Sequence, residues 1–273
     1  MAPSVQSYEA LVLENHPVGN YHRLLFQDNG ALSKALPGQF INIRVFEGVV
    51  PLLRRPFSIA RLLPGPKGKH RVEVLYASLR QGTQLLTDKR PGNTIGVLGP
   101  LGHPFPHMDK KHPALIVSGG IGVAPMVFLS EYLKKKGVPQ EVFLGARTAD
   151  DLVDLEVFKR LKVPIHITTD DGSKGRHGFV TQELEAYLEA GKAKPGTVIY
   201  ACGPRPMFRA VSQVGDEFKI PTYLSWEEHM ACGLGICLTC VCPVKQESGQ
   251  TKMVRSCYEG PVFEASTIDW ERI

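Results

Sequence analysis

The chain has 273 residues, of which 43% are hydrophobic and 22% charged, and this composition excludes a disordered or fibrous protein. The net charge is +5, but no basic run exceeds the three lysines at 134–136, which end a predicted helix. A solvated helix face explains that run, so we expect no nucleic-acid partner. At about 150 residues per domain, the length predicts roughly two domains.

The first hundred residues are predicted to form six short strands. The runs lie at 8–14, 21–27, 39–46, 57–62, 71–77 and 94–98, with glycine- and proline-containing turns between them. Six strands at this spacing are typical of a small antiparallel barrel. We place this all-β domain at residues 1–105.

From residue 106 the pattern changes to strands alternating with helices. Strands are predicted at 114–118, 141–144, 165–169 and 197–201, and helices at 125–136, 151–161, 181–190 and 206–218. This alternation indicates βαβ units and therefore a parallel α/β domain, which we place at residues 106–224.

One uncharged stretch, at 113–130, has the marginal length of a membrane span. Its glycines, prolines and serines favour a strand, a turn and the start of a helix instead. The N-terminus has neither the basic region nor the apolar run of a secretory signal. We therefore expect a soluble, cytoplasmic protein without a membrane partner.

The last segment, 225–273, is rich in cysteine and too small to hold a core without a staple. Three of its cysteines have the C-x₄-C-x₂-C spacing of a plant-type [2Fe–2S] site, with a later fourth. A four-cysteine zinc site, usually built from two C-x₂-C pairs, and disulfides are the alternatives. The candidate ligands are Cys232, Cys237, Cys240 and Cys257, whereas Cys242 is interpreted as a spare thiol.

A second motif, RRPFS, lies at 54–58. The guanidinium of Arg55 could pair with a phosphate, Phe57 could pack on a flavin ring, and the Ser58 hydroxyl could reach a ring heteroatom. Pro56 keeps the chain extended between them. Gly82 and Thr83 could offer backbone N–H groups to a pyrophosphate, and two phosphate-binding features favour FAD over FMN. The alternative is a solvated arginine pair on a strand edge.

A third motif, GGIGVAP at 119–125, lies between a strand and a helix. It approximates the dinucleotide fingerprint, in which the helix N-terminus favours a phosphate. The alternative is a plain tight turn. The candidate nucleotide-binding residues are Gly119, Gly120, Gly122 and Pro125, together with Cys202, Gly203 and Pro204 at the carboxyl end of a later strand. No acidic residue decides between NAD and NADP, and Arg147 could tolerate a 2′-phosphate.

The order RRPFS, GGIGVAP and CGPRPM resembles that of the ferredoxin–NADP reductase-like flavoproteins. With ACGLGICLTCVC added, the chain resembles the electron transfer subunits of dihydroorotate dehydrogenase B. The resemblance implies that Leu75, Tyr76 and Ala77 also contact FAD and that Cys242 is not a ligand. It further implies NADH rather than NADPH, and an FMN-containing catalytic subunit as partner, two copies of each chain forming a heterotetramer of pyrimidine biosynthesis.

The three sites together indicate a converter between one- and two-electron carriers. A nicotinamide exchanges a hydride, a cluster exchanges single electrons, and a flavin does both. We identify no catalytic acid or base, so substrate chemistry is assigned to a partner. Glu227 and Glu228 are candidate docking charges; the alternative is that they only cap or solvate the loop. The alternatives are an NAD(P)H-dependent reductase subunit serving a hydrogenase, sulfite reductase or ferredoxin, and a zinc-stapled binding module.

Overall fold

The computed structural model describes residues 5–46, 48, 51–66 and 69–273. Residues 1–4 of the first predicted domain lie outside this part. The strands of the described chain form two seven-stranded sheets and one two-stranded hairpin.

The N-terminal sheet has seven antiparallel strands in the order β4-β3-β7-β1-β2-β6-β5. The predicted antiparallel barrel is confirmed, with one strand more than expected. The strands are β1 (Gln6–Val18), β2 (Tyr21–Gln27), β3 (Phe40–Arg44), β4 (Arg55–Ser58), β5 (Arg61–Pro64), β6 (His70–Tyr76) and β7 (Thr94–Leu101).

The extra strand arises because the predicted run 57–62 is divided between two strands. β4 pairs with β3 at one edge of the sheet, while β5 pairs with β6 at the other edge. The intervening Ile59 and Ala60 are fully buried. Because only these two residues separate β4 from β5, the two edges of the sheet lie side by side, so the sheet curls towards a closed barrel.

A short helix, α1 (Gln81–Thr87), was not predicted. Its first turn holds Gly82 and Thr83, the predicted pyrophosphate-binding pair. The Thr83 hydroxyl accepts hydrogen bonds from the backbone N–H groups of Leu79 (2.9 Å) and Arg80 (3.2 Å) and donates to the Arg80 carbonyl. This local bonding fixes the start of a helix that glycine would otherwise disfavour.

The second sheet has the order β11-β10-β9-β8-β12-β13-β16, and all its pairs but the last are parallel. The predicted α/β fold is confirmed. The strands are β8 (Ala114–Gly119), β9 (Gln140–Ala146), β10 (Ile165–Thr169), β11 (Arg176–His177), β12 (Val198–Cys202), β13 (Thr222–Ser225) and β16 (Val262–Glu264); the helices are α2 (Val123–Lys136), α3 (Leu155–Leu161), α4 (Val180–Glu189) and α5 (Arg205–Glu217).

The uncharged stretch at 113–130 forms β8, a turn and the start of α2, as predicted. In the part of the chain that the structure describes, no helix is both long and apolar enough to cross a membrane. The predicted helix at 151–161 is shorter than expected, because Asp154 has a left-handed φ of 62° immediately before α3 begins.

The cysteine-rich segment shares its core with the α/β domain. A hairpin of β14 (Val241–Lys245) and β15 (Thr251–Arg255) precedes β16, which pairs antiparallel with β13. Trp226 stacks on Phe208 of α5, with ring centroids 5.5 Å apart. Packing against the second sheet therefore holds the segment in place. The domain boundaries at 105 and 224 stay predictions.

Ion pairs join the barrel to the α/β domain. Arg61 of β5 contacts Glu131 of α2, with Nη2 and Oε1 2.7 Å apart. Arg23 of β2 pairs with the buried carboxylate of Asp154, before α3. These contacts hold two strands of the barrel against α2 and the start of α3.

Candidate functional site

A cleft of about 1080 Å³ separates the barrel from the α/β domain. Its barrel wall is formed by β4, with Leu52, Leu53 and Leu79 nearby. The opposite wall is formed by the loop after β12 and by the segment that leads to the first predicted cluster ligand. The lining residues from the predicted motifs are Arg55, Pro56, Phe57, Ser58, Gly203 and Pro204. The structure thus brings the RRPFS and CGP motifs to one cavity.

Two predicted phosphate-binding features lie in direct contact. A Cβ atom on Gly82 would lie 2.3 Å from Nε of Arg55 and 2.6 Å from its Cζ. The guanidinium therefore lies against the start of α1 at Gly82. This places a positive charge beside the backbone of Gly82 and Thr83, a combination suited to a pyrophosphate.

The remaining predicted flavin residues lie on or after β6. Leu75 and Tyr76 are buried in packed cores, and the Tyr76 hydroxyl donates to Asn15 Oδ1 at 2.9 Å. Burial raises the pKa of Tyr76 to about 12, so its hydroxyl stays protonated. The ring of Tyr76 packs edge-on against Phe57, with centroids 5.8 Å apart. Tyr76 therefore supports the aromatic side chain of the RRPFS motif, and the flavin contacts of Leu75 and Tyr76 stay predictions. Ala77 follows the strand and is half-buried.

The glycine-rich motif packs tightly against the CGP motif. A Cβ on Gly122 would lie 2.2 Å from the carbonyl oxygen of Cys202, and one on Gly119 would lie 2.8 Å from Met207 Sδ. Gly120 has a φ of 54°, a conformation that favours glycine. The loop ends at the start of α2, a helix of 14 residues that contains Pro125 in its first turn. The two predicted nucleotide-binding motifs thus meet at the carboxyl edge of adjacent strands.

The four predicted cluster ligands lie as two neighbouring pairs. The side chain of Cys237 is hydrogen-bonded to both the backbone and the side chain of Cys232. Cys240 accepts a hydrogen bond from the backbone N–H of Cys257, at 3.4 Å. Within the described part of the chain, no three His, Cys, Asp or Glu side chains converge as they would on a single metal ion. Two thiol pairs fit the two irons of a [2Fe–2S] cluster, each of which takes two cysteines.

The loop between these cysteines has the backbone that such a site needs. Gly233 and Gly235 have φ values of 70° and 80°. The N–H of Leu234 donates to Cys232 Sγ at 3.3 Å. Hydrogen bonds from Thr239 and from the Cys232 backbone lower the pKa of Cys237 to about 6, which favours its thiolate. The residues present therefore fit a cluster held by Cys232, Cys237, Cys240 and Cys257.

Burial divides the ligand set into an inner and an outer pair. Cys240 and Cys257 are buried, while Cys237 is exposed and Cys232 half-buried. Cys242 is fully buried but belongs to a different core, with Trp226 and Phe263, and burial raises the pKa of its thiol to about 12. The structure thus separates Cys242 from the other thiols, as the interpretation of a spare cysteine requires.

Of the two candidate docking charges, Glu228 is engaged within the chain: its carboxylate pairs with Arg205 and accepts a hydrogen bond from Trp226 Nε1 at 3.1 Å. Glu227 lines the cleft and is exposed. Sequence reasoning also missed Phe40 and Asn42, which lie on β3 and reach the cysteine-bearing segment.

Comparison with known proteins gives two family matches that together span both nucleotide and cluster motifs. Residues 116–213 match the oxidoreductase NAD-binding domain. Residues 227–269 match the iron–sulfur cluster binding domain of dihydroorotate dehydrogenase B. The second match decides the chemistry that cysteine spacing left open, in favour of an iron–sulfur cluster over zinc or disulfides.

Whole-chain relatives agree with these matches. The chain is 38% identical over 261 residues to the dihydroorotate dehydrogenase B (NAD(+)) electron transfer subunit of Geobacillus sp. strain WCH70, covering 94% of this chain and 96% of the relative. It is 37% identical to the subunit of the same name from Fusobacterium nucleatum, covering 86% and 87%. The chain belongs to the family of dihydroorotate dehydrogenase B electron transfer subunits.

Solved structures show the same fold. A structure of an NADH-dependent reduced ferredoxin-NADP oxidoreductase superposes with a TM-score of 0.82 at 28% identity, covering 96% of this chain and 90% of the other. A ferredoxin NADP+ reductase from Neisseria gonorrhoeae superposes with a TM-score of 0.63 at 16% identity, covering 78% and 91%. This electron transfer subunit therefore has the ferredoxin–NADP reductase-like fold with a C-terminal cluster segment.

Proposed function

We propose that this chain is the electron transfer subunit of a dihydroorotate dehydrogenase, linking a partner catalytic subunit to NAD⁺. The observation that carries the proposal is that two motifs and the segment leading to the cysteines border one cleft. The RRPFS wall, the CGP loop and the segment entering the cysteine loop all border the same cavity. When bound, FAD supplies the exchange between a nicotinamide hydride and the single electrons of a [2Fe–2S] cluster.

Arg55 and the backbone of Gly82 and Thr83 hold the pyrophosphate of FAD. Their contact is already formed, since the guanidinium lies over Gly82. Ser58 and Phe57 face the cleft and orient the flavin ring, while Pro56 keeps β4 extended. Leu75, Tyr76 and Ala77 complete the flavin site from β6. A dinucleotide is favoured over FMN because two phosphate-binding features, Arg55 and the backbone of Gly82 and Thr83, are more than a mononucleotide needs.

The glycine loop and the CGP motif hold NAD. Backbone N–H groups at Gly120 and Gly122 face a pyrophosphate at the start of α2, where the helix dipole favours an anion. Gly119, Pro125 and Cys202 shape this loop by packing, and Gly203 and Pro204 carry it to the cleft. The preference for NADH over NADPH follows the family.

The partner docks over the outer pair of cluster ligands. Cys237 is exposed, and the side chains beside it are apolar and exposed: Ile236 (78%), Leu238 (63%) and Tyr258 (58%). Exposed large apolar side chains grouped around a redox site mark an interaction surface. In this proposal the partner is the FMN-containing catalytic subunit, two copies of each chain form a heterotetramer, and the complex is cytoplasmic.

The main alternative is a reductase subunit that serves ferredoxin or a similar electron carrier. The likeness to the NADH-dependent reduced ferredoxin-NADP oxidoreductase favours it, at 28% identity. The relatives named as dihydroorotate dehydrogenase B subunits are closer, at 37–38% identity. The identity of the partner therefore separates the two functions.

Reconstitution with a dihydroorotate dehydrogenase catalytic subunit tests the proposal. The isolated chain is expected to reduce an artificial acceptor with NADH but not to oxidise dihydroorotate. The purified complex is expected to reduce NAD⁺ with dihydroorotate. Turnover of dihydroorotate by the isolated chain, or no complex at micromolar concentration, would contradict it.

A further inference from the structure

Strand β3 lies between the flavin motif and the cysteines. In its antiparallel pairing with β4, Phe40 lies opposite Ser58 and Asn42 lies opposite Pro56. Phe40 and Asn42 are two residues apart, so their side chains leave the same face of the strand. The backbone of β3 therefore pairs with the strand that carries the flavin motif, while the side chains of Phe40 and Asn42 remain free to contact another part of the chain.

Asn42 presents a buried amide to the cysteine loop. Its side chain is fully buried, and its Nδ2 lies 3.4 Å from the carbonyl oxygen of Cys232. Among the described residues its Oδ1 has no hydrogen-bond partner. A buried amide with one unpaired group costs stability. An apolar residue at this position would pack in the barrel without that cost. The amide therefore serves the contact with Cys232 rather than the packing of the barrel.

Gly233 makes this contact close. The residue has a φ of 70°, and a Cβ atom on it would lie 2.0 Å from Asn42 Nδ2. The loop therefore passes directly over the amide, in a conformation that glycine adopts without strain. The first cluster ligand and the residue after it both touch one side chain of the barrel.

Phe40 extends the contact to the inner pair of ligands. It packs with Cys240, Cys257 and Leu101 in a small buried core. Phe40 also lines the cleft that holds the flavin motif. Three of the four predicted ligands therefore lie against two side chains of β3.

We infer that Asn42 is a positioning residue, which docks the cluster loop on the barrel and so holds the cluster site at a fixed distance from the flavin site. The inference rests on the proposed function in assigning flavin and cluster to these sites. Asn42 acts through the Cys232 carbonyl and the Gly233 backbone, and its orientation is fixed by β3. Rigid placement of this kind is what transfer between two bound groups requires.

Two variants and one control test the inference in the full-length holoprotein. Asn42→Leu keeps the branched shape of the side chain but removes the amide, and Asn42→Asp puts an acceptor opposite the Cys232 carbonyl. The matched control is Gln140→Leu, which removes another buried amide, bonded to the Ser130 carbonyl at 3.0 Å in the α/β domain. Three quantities are measured: hydrogen exchange of the 232–240 backbone, the rate of flavin reduction by NADH, and the later rate of cluster reduction.

In both Asn42 variants, we expect the backbone amides of 232–240 to exchange about tenfold faster and the cluster to be reduced about tenfold more slowly. Tenfold is the factor for one buried hydrogen bond. Flavin content and NADH oxidation by the flavin stay at the wild-type values, as do all measurements on the control. Unchanged exchange and unchanged cluster reduction in Asn42→Asp would overturn the inference. If that variant does not fold, Asn42→Leu gives the same decision. A wild-type chain whose flavin never reduces the cluster would contradict the proposed function instead, and exchange in 232–240 would still decide the role of Asn42.

Discussion

Arg55 and Gly82 are in contact across the flavin side of the cleft, because a Cβ on Gly82 would lie 2.3 Å from Arg55 Nε. We expect Arg55→Ala to weaken FAD binding by about 1.5–3 kcal/mol, the range for a hydrogen bond to a charged group. Gly82→Ala is expected to act in the same direction by displacing the guanidinium. Titration of the apoprotein with FAD, followed by flavin fluorescence, measures both effects.

Arg54 provides the control for that prediction. It is the neighbouring arginine, but its Nη1 donates to the Gly96 carbonyl at 2.9 Å. Arg54→Ala should therefore leave FAD affinity nearly unchanged. An equal loss of affinity in both arginine variants would mean that the phosphate is not held by Arg55 specifically.

Gly122 is predicted to be essential for reduction by NADH. Its substitution by Ala would bring a Cβ to 2.2 Å from the Cys202 carbonyl, which would force the two nucleotide-binding loops apart. We expect bound FAD at the wild-type level but strongly slowed bleaching by NADH in stopped-flow absorbance. Gly191→Ala is the control, since that position also has a positive φ (65°) but no atom within 4 Å of the added Cβ. Equal rates in the two variants would contradict the assignment of the loop to NAD.

The cysteine assignment predicts a sharp division within the segment. Changing Cys232, Cys237, Cys240 or Cys257 to Ser should abolish the cluster, measured as iron and sulfide content of about two each per chain. Cys242→Ser should keep the cluster, because that thiol lies in a separate apolar core. Retention of the cluster in Cys257→Ser would require a different ligand.

Acid is predicted to loosen the cysteine-rich segment through Asp269. The Thr251 hydroxyl donates a hydrogen bond to this carboxylate, which holds the pKa of Asp269 below its ordinary value of 3.8. A lowered folded-state pKa means that the ionised group stabilises the fold above the unfolded value, and that this contribution is lost as the pH falls through the folded value. Asp269→Asn should therefore be less stable at neutral pH and less sensitive to acid.

Intrinsic fluorescence measures this effect locally. The chain has two tryptophans, Trp226 and Trp270, and both lie in the last segment. Acid titration of their emission should show a shallower transition below about pH 4 in Asp269→Asn than in wild type. Asp170 is exposed, and the variant Asp170→Asn serves as the control. Identical acid profiles for Asp269→Asn and wild type would refute the prediction.

The sequence predicted best those elements whose structure depends on residues adjacent in the chain. The strand at 21–27 and the strand at 165–169 have the predicted bounds, since hydrophobic runs between turn residues set them. The glycine motif was identifiable because a strand, a tight turn and a helix follow each other along the chain. The α1 helix was missed because its stability comes from the Thr83 hydroxyl rather than from helix propensity.

Contacts between distant residues were beyond sequence reasoning. Asn42 and Cys232 are 190 positions apart, and nothing in either local pattern indicates their hydrogen bond. The pairing of Glu228 with Arg205 likewise depends on how β12 and β13 lie together, so a charge that looked available for docking is used internally. The motifs predicted the cofactors and the family resemblance predicted the partner, but neither predicted these contacts.

Anaerobic reduction of the purified chain by NADH tests the central claim most directly. Absorbance records the flavin while low-temperature EPR records the cluster in the same samples. If the chain links a hydride carrier to a one-electron carrier, NADH bleaches the flavin and the signal of a reduced [2Fe–2S] cluster then grows to nearly one per chain. A bleached flavin beside a cluster that stays oxidised, although dithionite reduces it, would contradict the claim.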